Sequence, residues 1–185
     1  MLSVNKDMGI ECFVDADFAG GATKGNTTNP RDYLSCTGYV LKYAGCPTVW
    51  ASKLQTLIAL LTTEAEYLAL STAMREVIFL KQLMEEMAAN GVEILQHDKP
   101  VINVNVYEDN VRAIELAKLP KLRPRTKHIG IQFHHFRSWT CRGINGEEPR
   151  ILVKHISTQD QQADIFTKPL ARAQFQHLRW LLCGW

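Results

Sequence analysis

The spacing of apolar residues changes along this chain, and each change predicts an element. Residues 10–14 form a short apolar run between Gly9 and Asp15-Ala16-Asp17. That reads as a buried strand delivering an acid at its C-terminal end. Residues 20–32 are rich in Gly, Asn, Thr and Pro and read as a loop. Residues 36–43 alternate weakly, Ala44-Gly45-Cys46-Pro47 reads as a turn, and residues 48–52 form another strand. The two strands predict an antiparallel hairpin.

The longest helix is predicted over residues 63–89, ending at Asn90-Gly91. Thr62 and Thr63 stand where an N-cap belongs, and Thr63 with Glu66 has the spacing of a capping box. Ala69, Leu70, Ala73, Val77, Leu80 and Met84 then mark one stripe. At about 100° per residue the stripe centres on the direction of Glu66, and Glu64 points nearly opposite, toward water. A charge on the buried face is costly unless something pairs with it. Glu66 therefore either closes the capping box or holds a cation.

Residues 101–106 predict a strand ending in Tyr107-Glu108-Asp109-Asn110. A helix follows through Val111, Ile114 and Ala117, with Asp109 or Asn110 available to cap it. Lys118, Lys121, Arg123, Arg125 and Lys127, broken by Pro120 and Pro124, make a basic loop, which is either a solvated face or a phosphate-binding one. Ile129, Phe133, Phe136 and Trp139 have helical spacing. Residues 150–156 predict the last strand, closing in His155. Ser157-Thr158 would cap a short helix carrying Gln161, Ala163, Asp164, Ile165 and Phe166, which Pro169 stops. Phe175, Leu178 and Leu182 predict a terminal amphipathic helix. Strand, hairpin, long helix, strand, helix, helix, strand, helix is the order of a mixed α/β sheet flanked by helices.

Composition narrows this little. A length of 185 residues suits one domain with a sizeable core. The expected division is a core over about residues 8–170 and a C-terminal helical extension over 171–185. A net charge of +2 does not by itself argue for a nucleic-acid partner. Cys12, Cys36, Cys46, Cys141 and Cys183 are odd in number and show no zinc spacing, which fits a reduced, intracellular compartment. Residues 1–7 lack a signal-peptide core, and no stretch approaches the ~20 apolar residues of a membrane span.

Four acids occupy telling places. Asp15 ends the first strand, Glu66 points inward from the start of the first helix, Asp109 ends the fourth strand, and Asp164 lies just after the last. If the first and fourth strands are parallel neighbours, Asp15 and Asp109 emerge side by side where open α/β sheets place their sites. Carboxylates that close repel, and divalent cations would relieve the repulsion. Hard oxygen donors suit magnesium or manganese, and two such ions ~3.5–4 Å apart can clamp a phosphodiester.

Six blocks carry a resemblance over about residues 8–180. They are Asp15-Ala16-Asp17-Phe18-Ala19-Gly20, Ser52-Lys53, Thr62 through Leu70, Glu108-Asp109-Asn110, Arg125-Thr126-Lys127-His128-Ile129 and Ala163 through Leu170. In this order they closely resemble the ribonuclease H domain of copia-type retrotransposon polyproteins. The resemblance implies a ribonuclease H-like fold, with five strands in the order 3-2-1-4-5 and the second antiparallel. It implies cleavage of the RNA strand of RNA–DNA hybrids, two Mg2+ or Mn2+ ions, and a parent polyprotein containing the reverse transcriptase polymerase region. A cytoplasmic location within virus-like particles follows from the same resemblance.

Carried over by position, Asp15, Glu66, Asp109 and Asp164 match the family's metal-binding acids, with Asp164 on the second ion. His155, nine residues before Asp164, matches a histidine that helps product or proton leave; its alternative is a strand-end histidine without a role. Asn110 and Thr63 match hybrid contacts, and both serve equally well as caps. Glu108 departs from the family, which commonly has a small or sulfur-bearing residue there. Two alternatives stay open: a catalytically inactive module that binds hybrids or tethers a polymerase, and another polynucleotidyl transferase of the same fold.

Overall fold

The first strand, β1 (Ile10–Asp17), is the centre of the sheet. In this computed structural model, residues 9–22, 29–92, 102–119, 129–143 and 145–185 are described. β1 runs three residues further than its apolar stretch, because β2 (Cys36–Tyr43) pairs with it along its whole length, from Ile10↔Tyr43 to Asp17↔Cys36. β3 (Cys46–Leu54) pairs with β2, and β4 (Val104–Glu108) and β5 (Leu152–His155) follow in parallel on the other side of β1. The spatial order is 3-2-1-4-5 with β2 antiparallel, the order of a ribonuclease H-like fold.

The hairpin turn is tighter than expected. Ala44 (φ 52°) and Gly45 (φ 82°) are its two central residues, and both lie in the left-handed region that a two-residue turn between twisted strands requires. Cys46 and Pro47 therefore belong to β3. Pro47 is tolerated because β3 is an edge strand, with a register shift opposite it at Leu41/Lys42.

β2 alternates weakly because both of its faces are covered: its interior residues are all buried. Helix α1 (Thr62–Ala89) lies on one face. Its stripe of Ala69, Leu70, Ala73, Val77 and Met84 joins Cys12, Val14, Leu41 and Val106 in the main core. α2 (Val111–Lys118) packs beside it. On the other face, Phe13 and Val40 meet Ala163 and Leu182, the last from α4 (Arg172–Cys183). The buried ammonium of Lys42 is held on this face by the Leu181 carbonyl at 3.1 Å, near the C-terminus of α4 where helix carbonyls lack partners.

Several local expectations fail. The N-cap of α1 is Leu61, with no side-chain capping bond, so the Thr63–Glu66 capping box does not form. Glu64 does not point to water; it is buried, and its Oε2 accepts the Leu60 N–H at 2.8 Å. The helical spacing of residues 129–139 divides into a 3-10 turn (Ile131–His134) and a single α-turn, α3 (Arg137–Thr140). The helix expected after β5 is two 3-10 turns, Thr158–Asp160 and Gln162–Phe166, capped by Ser157 and Gln161. Short polar side chains that bond back to the chain favour such turns over an α-helix.

Candidate active site

β1 and β4 stay paired only from Ile10↔Val104 to Phe13↔Tyr107 and then separate. Gln161 is fully buried in the opening, and its amide donates to the Val14 carbonyl at 2.9 Å and to the Tyr107 carbonyl at 3.5 Å. Asp15 and Asp109 project from the separated ends. Glu66 reaches them from the first turns of α1. One carboxylate oxygen from each of Asp15, Glu66 and Asp109 lies within 4.8 Å of the others.

Burial and the neighbouring acids make these charges hard to hold together. Burial pushes the Glu66 carboxyl up to about 11, and Glu108, Asp15 and Asp109 add to it, against a partial offset from the Ala16 backbone. Its Oε2 is buried without a hydrogen-bond partner among the described residues. Glu108 is fully buried beneath the site and is likewise held well above the ordinary carboxylate range, chiefly by burial. The Asn110 N–H donates to Glu108 Oε1 at 3.0 Å, while Oε2 has no hydrogen-bond partner among the described residues. A divalent cation fits this donor set: three hard oxygens, mutually repelling, with a buried oxygen left unsatisfied.

Asp164 lies beside the trio and outside it. Its carboxylate is fully buried, and burial followed by Asp15 pushes its pKa up to about 6, against a partial offset from Lys168. Its counter-charge is Lys168, whose Nζ lies 3.0 Å from Asp164 Oδ1 and 3.6 Å from Asp15 Oδ2. Burial alone would lower the lysine pKa, but Asp15, Asp164 and Asp109 outweigh it and hold the ammonium above its ordinary value. The Thr167 hydroxyl donates to the same Asp15 Oδ2.

The remaining candidates divide. Asn110 caps α2, its Oδ1 accepting from the N–H groups of Arg112 (3.1 Å) and Ala113 (3.2 Å). Thr63 is half-buried in the first turn of α1 and caps nothing. His155 is the ladder partner of Glu108, one residue before Asp109, but its ring is exposed and engages no hydrogen bond or ion pair among the described residues. Lys121, Arg123, Arg125 and Lys127 lie outside the described residues.

Four residues around the acids were not read from the sequence as site residues. Thr158 Oγ1 donates to Asp109 Oδ2 at 2.8 Å, and Thr167 and Lys168 bind Asp15. Gly38 is the fourth: it stands opposite Asp15 in the β1–β2 ladder and lets residues 163–167 pass close over β2. Only the four-residue interval between Asp164 and Lys168 was a usable signal, since one turn brings such a pair together.

No protein-family model matches the chain. It is similar to the retrovirus-related Pol polyprotein from transposon TNT 1-94 of Nicotiana tabacum, 34% identical over 167 residues and 90% of this chain. It is also similar to those from transposons RE1 and RE2 of Arabidopsis thaliana, 33% and 34% identical over 176 residues and 95% of this chain. The chain spans only about a tenth of these relatives' length, 11%, 10% and 10% respectively. Among solved structures, it is similar to LC11-RNase H1 isolated from compost, with a TM-score of 0.49, 16% identity, and 86% of this chain and 92% of that one covered. The N-terminal RNase H domain of a Mycobacterium tuberculosis protein gives a TM-score of 0.47 and 14% identity, covering 95% of this chain and 99% of that one. Over nine-tenths of its length, this chain is a homologue of one segment of the retrovirus-related Pol polyproteins of plant transposons, built on the sheet of a ribonuclease H-like fold.

Proposed function

We propose that the chain is a divalent-metal-dependent endoribonuclease that cuts the RNA strand of RNA–DNA hybrids. On this reading it forms one domain of a reverse-transcribing polyprotein and works beside that polyprotein's polymerase region, within the particles of the element. The observation that carries it is the convergence of Asp15, Glu66 and Asp109 from three separate elements. Three inward carboxylates offer a structural protein nothing but repulsion; they become useful when a cation joins them.

Asp15, Glu66 and Asp109 would hold Mg2+ or Mn2+. The ion, when bound, supplies Lewis-acid activation of water and neutralises charge developing on the phosphate. The chain's own residues do the positioning. Gln161 holds the strand ends apart, Thr158 orients Asp109, and Asn110 fixes the start of α2 beside the acids. The strand to be cut would be chosen by its 2′-hydroxyls, read across the minor groove of the hybrid. Lys121, Arg123, Arg125 and Lys127 are proposed to hold a phosphate backbone, and Thr63 and Asn110 to contact the hybrid.

The test is a labelled RNA–DNA hybrid incubated with the chain, with and without Mg2+. Magnesium-dependent shortening of the RNA strand alone supports the reading. Hybrid binding without cleavage would instead make the chain an inactive module, and strand joining would make it another polynucleotidyl transferase. No helix among the described residues is long and apolar enough to cross a membrane.

A further inference from the structure

Lys168 occupies the space between two acids that a second divalent ion would need. Its ammonium lies 3.0 Å from Asp164 Oδ1 and 3.6 Å from Asp15 Oδ2. Its backbone is held in place: the N–H groups of Thr167 and Lys168 both bond the Asp164 carbonyl, at 3.2 and 3.3 Å. Pro169 then ends the turn. The side chain is two-thirds buried, so the ammonium has little freedom to leave.

The acids on either side match that placement. Asp164 is fully buried against the Lys168 ammonium and is not one of the three acids whose oxygens converge. Without a fixed cation it would be an unpaired buried carboxylate, which is among the costliest things a fold can contain. Asp15 Oδ2, the oxygen a second ion would share, already faces the Thr167 hydroxyl and Lys168. A divalent ion would have to approach both oxygens to ~2.0–2.2 Å, through the position the ammonium fills.

We propose that Lys168 is the resident cation of the Asp15–Asp164 half of the site, so that the free protein loads one divalent ion, at Asp15–Glu66–Asp109, and not two. This rests on reading those three acids as a metal centre. The two-ion arrangement implied by the family resemblance is replaced, in the free protein, by one ion and one lysine.

The test counts Mn2+ bound per chain by electron paramagnetic resonance of the free ion. The expected count is one for the unmodified chain and for Lys168→Arg, and two for Lys168→Met, with the pair giving a spin-coupled signal. Adding Asp164→Asn to Lys168→Met should return the count to one. Two ions on the unmodified chain would overturn the proposal whether or not any variant folds. So would a count of one on Lys168→Met with an unchanged circular dichroism melt. No ion on the unmodified chain would overturn the metal centre itself, and this inference with it.

Discussion

Gly38 and Thr167 are packed so closely that a single added carbon would collide: a Cβ on Gly38 would lie 2.5 Å from the Thr167 methyl. The same Cβ would lie 2.9 Å from the Phe166 Cβ and 3.0 Å from the Ala163 carbonyl oxygen. Gly38 is the ladder partner of Asp15, and Thr167 donates a hydrogen bond to Asp15. The close passage therefore sets how far Asp164 and Lys168 stand from the acids of β1.

Gly38→Ala should cost about 1–3 kcal/mol, the usual range for overpacking a filled core. Chemical denaturation measures it. Because the displaced segment carries Asp164, Thr167 and Lys168, hybrid cleavage should fall along with stability. A variant of unchanged stability and activity would mean that the passage relaxes freely.

Asp109→Asn keeps the shape of the side chain and removes the charge. Hybrid cleavage should drop by at least about 100-fold, while the melting curve stays within ~0.5 kcal/mol of the parent. Undiminished magnesium-dependent cleavage would remove Asp109 from the site.

Thr158 is exposed, so its hydrogen bond to Asp109 Oδ2 contributes little to folding. Thr158→Val should lower Mn2+ affinity by roughly 10-fold, the effect of losing a side chain that orients a ligand, with stability changed by less than ~0.5 kcal/mol. Calorimetric titration separates the two quantities.

Raised carboxyl pKa values give the metal-free protein a definite pH dependence. Glu66, ordinarily near 4.5, is pushed to about 11, and Asp164, ordinarily near 3.8, to about 6. Above the ordinary values the folded chain keeps protons that the unfolded chain has released, so unfolding gains with rising pH. The stability tied to these groups is fully present below about pH 4 and is lost progressively above it, Asp164 completing its loss near pH 6. In chelator, the midpoint of thermal unfolding should fall from about pH 5 to about pH 8, and Glu66→Gln should flatten the slope and stabilise by roughly 1–3 kcal/mol at about pH 8. Divalent ion should restore the parent's stability and release protons, read as titration heats that vary with the buffer. A steeper slope in Glu66→Gln would contradict the placement of its charge.

His155, the last residue of β5, has an exposed ring with no hydrogen bond or ion pair among the described residues. The proposed role in product departure requires that His155→Ala slow multiple turnover by about 10-fold with single-turnover cleavage unchanged. Equal rates in both regimes would leave it a strand-end histidine.

Periodicity alone reached the element order, the buried stripe of α1 and the inward aim of Glu66, because period and burial are properties of contiguous residues. Chain order also placed acids after strands that proved to be parallel neighbours, and the six motif blocks led to the strand order. What it misjudged were local contests. Thr63 and Glu66 have capping-box spacing, yet the helix begins two residues too early for it, and Glu64 takes the backbone bond instead. The Gln161–Phe166 stretch reads as a helix until the buried Gln161 side chain is seen to donate to β1 and β4 and to accept from the Ala163 N–H.

Only the tertiary structure decided the surroundings of the acids. Thr158 reaches Asp109 from 49 residues away, and Thr167 reaches Asp15 from 152 away. Gly38 matters because of what passes over it, and Lys168 because two acids distant in sequence both face its ammonium. Electrostatic and steric energies depend on separation in space, which a one-dimensional order does not contain.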